Sequence, residues 1–259
     1  IFSRFILFVF LCITCAGAVT LTPREIMWNV INKYRVDDEV EEIKMTLINK
    51  DDRTWIRIAT FYTKKIDKDN NKIFFRFHSP ADLAGSGVLT IENKNGEDDQ
   101  WMYVPAYHTA RRIPAASRSD QYMGTDFYYE DVITPRVEEY EYKITGEEKI
   151  NGTNCSILEG IPVSERLKKE SGYGRVVSFV DTEKFMILKQ DLYSKKDGTL
   201  IKQLTNYELR NYNGFLRWGK REMLTLKTGH RTIVEYTKQE INKGVSDEYF
   251  TMRYLKRGK

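Results

Sequence analysis

A chain of 259 residues, 41% hydrophobic and 13% aromatic, has enough apolar material for one large core or two small ones. Its 41 basic and 37 acidic residues give a net charge of only +4, without the concentrated basic stripe of a nucleic-acid binder. Sixteen tyrosines and thirteen phenylalanines favour strands over helices.

The first segment is unlike the rest. Phe5 to Ala18 is apolar and uncharged, Arg4 precedes it, and Ala16-Gly17-Ala18 has the small-residue form of a cleavage site. It reads as a secretory signal peptide cleaved after Ala18, with a shortened n-region because the sequence starts at Ile1. A retained anchor helix is the alternative, although the run falls short of the roughly 20 residues that span a bilayer. Cleavage removes Cys12 and Cys15 and leaves Cys155 alone, so residues 19–259 would hold no internal disulfide. Cys155 lies in the strand-like run NCSILEG and is expected to be a small buried hydrophobe.

A helix comes next. Thr22, Pro23 and Glu25 form a capping box with proline at the first helical position. Ile26, Val30 and Tyr34, flanked by Met27 and Ile31, make an apolar stripe wide enough to pack on a sheet. From about Glu42 the period falls to two. The run TWIRIATFY puts Trp55, Arg57, Ala59 and Phe61 on one face; KIFFRFH puts Ile73, Phe75 and Phe77 together with Phe74 opposite. GVLTIEN and QWMYVP continue the pattern, with Trp101 and Tyr103 sharing a face. Turn chemistry in NKDDR, DKDNN, KKDGT and KTGHR separates antiparallel strands. The second half reads as further strands up to YFTMRYL, giving about 11 and at most 13 in one large curved sheet. Phe74 opposite Phe75 and Phe77 implies cover on both faces or a lined interior.

Arg118 to Arg136 breaks this rhythm. Gly124 and Thr125 precede Asp126, Phe127, Tyr128, Tyr129, Glu130 and Asp131, which suggests a short helix with acids in its first turn. Such a long excursion inside a compact domain usually carries function. The chemistry within reach is sparse. His78, His108 and His230 lack metal-ligand spacing, DKDNNK lacks the glycine and final glutamate of a calcium loop, and no phosphate loop or nucleophile elbow is present. No cofactor or metal is expected, and no catalytic residue is assigned. The pair Arg111-Arg112 admits three readings: a solvated edge, a salt-bridged hinge to Asp126 or Asp131, or a contact to an anionic headgroup.

Four stretches together carry a resemblance: FRFHSPADLAGSGVLTIE, DDQWMYVPAYHTARRIPAASRSDQYMGTDFYYEDV, DGTLIKQ and FTMRYL. They resemble the outer membrane lipoprotein-sorting protein family, whose domains are LolA-like. Pro80, Gly85, Pro105, Arg111, Arg112, Gly124, Asp126, Phe127, Tyr129 and Asp131 fall on its motif. Ser86 and Tyr107-His108 depart from it. The resemblance implies a mainly β fold, an unclosed antiparallel β-barrel with helices over its concave side and an apolar cavity that takes acyl chains. It also implies a non-enzymatic periplasmic carrier of lipids or lipoproteins toward the outer membrane. An inner-membrane transporter of the resistance-nodulation-division type or an outer-membrane acceptor would be the protein partner. Trp55, Phe75, Phe77, Trp101 and Tyr103 are candidate cavity-wall residues if their face is the concave one. A subunit of a lipid exporter and a non-enzymatic envelope interaction or adhesin module are the alternatives.

Overall fold

The computed structural model describes residues 21–93 and 96–258. The signal segment, its cleavage after Ala18, and Cys12 and Cys15 lie outside the described residues. Among these residues no helix is long and apolar enough to cross a membrane.

Thirteen strands form one antiparallel sheet, two more than the figure of about 11. The first half supplies β1 (Asp38–Ile48), β2 (Thr54–Lys65), β3 (Asn71–Ser79), β4 (Gly87–Ile91), β5 (Asp99–Val104) and β6 (Thr109–Ile113). The second supplies β7 (Tyr140–Ile150), β8 (Thr153–Pro162), β9 (Tyr173–Asp181), β10 (Met186–Ser194), β11 (Leu200–Tyr212), β12 (Phe215–Thr225) and β13 (His230–Ile241). Each half is a meander, because strands consecutive in the chain are neighbours in the sheet. The two meanders are sewn together where β1 pairs with β13, Met45 opposite Val234. β6 and β7 are left as the outer strands, so the sheet is unclosed.

The sheet must curve. Tyr122 packs on Phe75 of β3 with ring centroids 5.4 Å apart, and Tyr128 stacks on Tyr173 of β9 at 5.3 Å. Seven strand spacings separate β3 from β9, about 33 Å if flat, whereas six residues of chain reach at most about 21 Å. Bulges at Glu42/Ile43 and Ile58/Ala59 add local twist.

Cover exists on both faces. The concave face carries Ile43, Met45, Ala59, Phe75, Phe77, Leu204 and Met223, packed beneath Tyr122, Phe127 and Tyr129. The convex face carries Phe74, Leu89 and Tyr103, packed beneath Val245, Phe250 and Leu255. That second cover corrects one expectation: YFTMRYL is not a strand. A 3-10 turn (Asp247–Phe250) leads into the helix α3 (Met252–Lys256), capped by Thr251, which accepts from the Tyr254 N–H at 3.1 Å. Arg76 holds the other end, donating to the carbonyls of Tyr254 and Leu255. β1 and β13 already pair with each other, so no sheet edge is open there for another strand.

The first helix, α1 (Pro23–Asn32), forms as its capping box dictates, with Thr22 and Glu25 bonded reciprocally. It buries Ile26 and Met27 against Leu158 and Val180 of β8 and β9. A helix the strand reading missed, α2 (Glu165–Glu170), is capped by Ser164 and anchored by buried Leu167. Cys155 is free and buried.

Candidate functional site

The chain between β6 and β7 has to travel from one edge of the sheet to the other, and it does so across the concave face. Residues 114–139 contain short 3-10 turns, at Tyr122–Gly124 and Tyr129–Val132, rather than one short helix. The reason is local: Met123 (φ 50°) and Gly124 (φ 71°) are both left-handed, which stops a helix before it starts. The turn drives Asp126 inward. It is fully buried, accepting from Thr225 Oγ1 at 2.6 Å and Thr232 Oγ1 at 2.7 Å, and lies 2.6 Å from His230 Nδ1. Lys202 donates to the Asp126 carbonyl and sits over the Tyr128 ring. Burial pulls the Lys202 ammonium down to about 8.

Arg111 and Arg112 do not meet Asp126 or Asp131. Arg112 pairs with Asp99 at 2.7 Å on the exposed edge, and Arg111 lies over the Tyr107 ring. The ion pairs that fasten the excursion run with the opposite polarity. Asp98, beside the sheet, receives Arg136 at 2.7 Å and Arg118 at 3.6 Å from the excursion. Glu92 accepts from the Thr134 N–H at 2.7 Å, and Arg57 donates to the Met123 carbonyl at 2.6 Å. Asp131 accepts from the Tyr128 N–H and the Tyr173 hydroxyl. Among the other motif positions, Gly85 is forced: at φ 82° a Cβ would lie 1.9 Å from the Gly258 carbonyl oxygen. Pro80 accepts from the Leu83 and Ala84 N–H groups, and Pro105 opens a 3-10 turn. Phe127 and Tyr129 are buried in the concave core.

Beneath the excursion and α1 lies a cavity of about 520 Å³. Its apolar wall includes Met27 and Ile31 of α1, Phe61 of β2, and Leu192, Leu204 and Met223 of the second meander. That volume is within the roughly 300–1,000 Å³ of ligand pockets. The five sequence candidates fall unevenly around it. Phe75 and Phe77 are on the concave face but fully buried, Phe75 beside its cross-strand partner Phe61 at 4.6 Å between ring centroids and beneath Tyr122 at 5.4 Å. Trp55 shares that face but stands half-exposed at the outer end of β2. Trp101 and Tyr103 point the other way, into the convex cluster under α3. β4 sets this: Val88 faces Met102 on the concave side, Leu89 faces Trp101 on the convex side.

Polar groups punctuate the wall. Burial, reinforced by Glu39, pushes the Glu41 carboxyl up to about 7, and burial does the same to Glu130. Asp131 is also raised by burial. Among the described residues no group of three or more His, Cys, Asp or Glu side chains is placed to hold a metal ion. What the arrangement can do is enclose an apolar body of about this volume and meet a polar group at its margins.

Residues 69–257 match a family model described as that of an uncharacterized protein. No curated protein matches the chain. Among solved structures, the chain is similar to a domain from Vibrio parahaemolyticus described as an outer membrane lipoprotein-sorting protein: 27% identity and TM-score 0.84 over 91% of this chain and 98% of that one. A DUF1329 family protein from Desulfovibrio piger is similar at 26% identity and TM-score 0.84, over 91% and 100%. A LolA superfamily protein from Nitrosomonas europaea, 18% identical over 91% and 100%, shares the fold at TM-score 0.71.

Proposed function

The chain belongs to the LolA-like outer membrane lipoprotein-sorting proteins, and on that premise we propose that it carries acyl chains of lipids or lipoproteins through the periplasm toward the outer membrane. The observation behind this reading is the cavity of about 520 Å³ between the concave face and its cover. A sixteen-carbon chain left in water costs about 12 kcal/mol, at roughly 0.8 kcal/mol per methylene. A carrier has to hide that surface and then give it up. Met27, Ile31, Phe61, Leu192, Leu204 and Met223 supply the hiding surface, and α1 with residues 114–139 supplies a cover whose displacement lowers affinity. The work is binding and release, with no bond made or broken. A transporter or an acceptor at the outer membrane would set where loading and unloading happen.

The test is native mass spectrometry of freshly purified protein, followed by analysis of its organic extract. Bound phospholipid or acylated protein is the expected result. Protein that arrives without any acyl lipid, and takes up none when mixed with labelled fatty acid, would sink the reading.

A further inference from the structure

The main cavity does not end in a greasy wall. A second chamber of about 360 Å³ adjoins it under the C-terminal end of α1, and the two share Val30, Thr63, Asn71, Gln190 and Arg221 in their linings. The charged residues lining the second chamber are three arginines, Arg35, Arg217 and Arg221, and one acid, Glu39.

These arginines are not equivalent. Arg217 is fully engaged: its Nε and Nη2 grip both oxygens of Glu39 at 2.8–3.1 Å, and its Nη1 donates to the Tyr34 and Leu216 carbonyls. Arg221 gives Nε to the Asn206 amide oxygen at 3.0 Å and meets the Tyr236 phenol. Arg35 gives Nη2 to the Asn71 amide oxygen at 3.0 Å. Neither Arg35 nor Arg221 joins an ion pair among the described residues, in contrast to Arg217 with Glu39. Both neutral amides fix the guanidinium planes without cancelling their charge. Each plane keeps donors that match a carboxylate or phosphate edge. The acids whose charge reaches this region are Glu39, engaged by Arg217, Glu41, which accepts from the Gln239 amide at 2.9 Å, and Asp131, which accepts from the Tyr128 N–H and the Tyr173 hydroxyl.

We propose that the ligand is an amphiphile with one anionic headgroup, its hydrocarbon in the larger chamber and its carboxylate or phosphate between Arg35 and Arg221. This rests on the carrier reading above and deepens it. The larger chamber rewards methylene burial, and the smaller one rewards negative charge. A neutral lipid satisfies only the first.

The experiment is a fluorescence titration of the full chain at pH 8 with cis-parinaric acid and, separately, its methyl ester. Wild-type protein is expected to bind the acid at least tenfold tighter than the ester. In R35M/R221M the two probes bind alike. Equal affinities in the wild type, or a preference that survives in the double variant, overturn the headgroup assignment and leave the carrier reading standing. A folded wild type that binds neither probe overturns both. Should the double variant fail to fold, R35M alone must narrow the preference at least threefold, and an unchanged ratio counts against the proposal. A wild type that binds inorganic phosphate by calorimetry yet shows no preference for the acid over the ester would assign the arginines to a free anion rather than a lipid.

Discussion

Asp126 shows how much one buried carboxylate can organise. Two threonine hydroxyls, a histidine and its own N–H tie it to β12 and β13. Asp126→Ala leaves Thr225, Thr232 and His230 without their shared acceptor and should cost about 3 kcal/mol, read as a lower urea midpoint. Reversing Arg112 removes only an exposed pair with Asp99 and should change stability by less than about 1 kcal/mol in the same assay. The sequence placed arginines and acids in the right neighbourhoods but joined the wrong ones. Spacing along the chain cannot say that Asp98 is the acid that meets Arg118 and Arg136, because that pairing spans the sheet edge. Glu130 gives a pH signature. Burial raises its folded pKa from an ordinary 4.5 to about 7, so between those values the folded state holds a proton the unfolded state has lost. Its contribution to stability therefore falls as pH rises through that window, by about 3 kcal/mol for a shift of this size at 1.36 kcal/mol per pKa unit. Glu130→Gln should remove that slope, so wild type minus variant, measured by denaturant unfolding from pH 4.5 to 7.5, isolates it.

Elements differ in how openly the sequence declares them. α1 is plain because Thr22, Pro23 and Glu25 satisfy its first turn from within four residues of chain. β11 (Leu200–Tyr212) buries Lys202, Leu204 and Asn206 in strict alternation, the period of two by which a strand declares itself. α3 was hidden, since YFTMRYL alternates well enough to pass for a strand while its real signal is the Thr251 cap. That misreading had a consequence. Cover on both faces is one of the readings the alternation allows, but it names no element for the convex side; α3 and its 3-10 turn are that element, and the β4 register puts Trp101 and Tyr103 beneath them. Period two says that residues share a face, and only the tertiary partner says which face that is. Thr22→Ala should cost about 1 kcal/mol and raise amide exchange in α1 while leaving β1 to β3 protected. Exchange across the whole sheet rising together would mean that α1 does not open on its own.

At the scale of the molecule, the curved sheet sets the capacity of the hollow, and the hollow can be filled by design. Leu204 and Met223 face it from β11 and β12. Met223→Trp should cost about 1–3 kcal/mol of overpacking and at least halve the acyl lipid recovered per mole of protein. Unchanged recovery from a folded variant would place the lipid elsewhere. The resemblance had already pointed to a half-barrel with a covered interior, but the route of the covering chain could be known only once β6 and β7 were seen at opposite margins. Residues 114–139 are stitched at both lips, like a strap across the mouth of a bag. A strap fastened at two ends cannot swing aside as a door does; it can only slacken, or the lips can draw apart beneath it. On the carrier reading, an occupant would enter lengthwise beneath the strap, which a hydrocarbon tail does more readily than a folded protein chain.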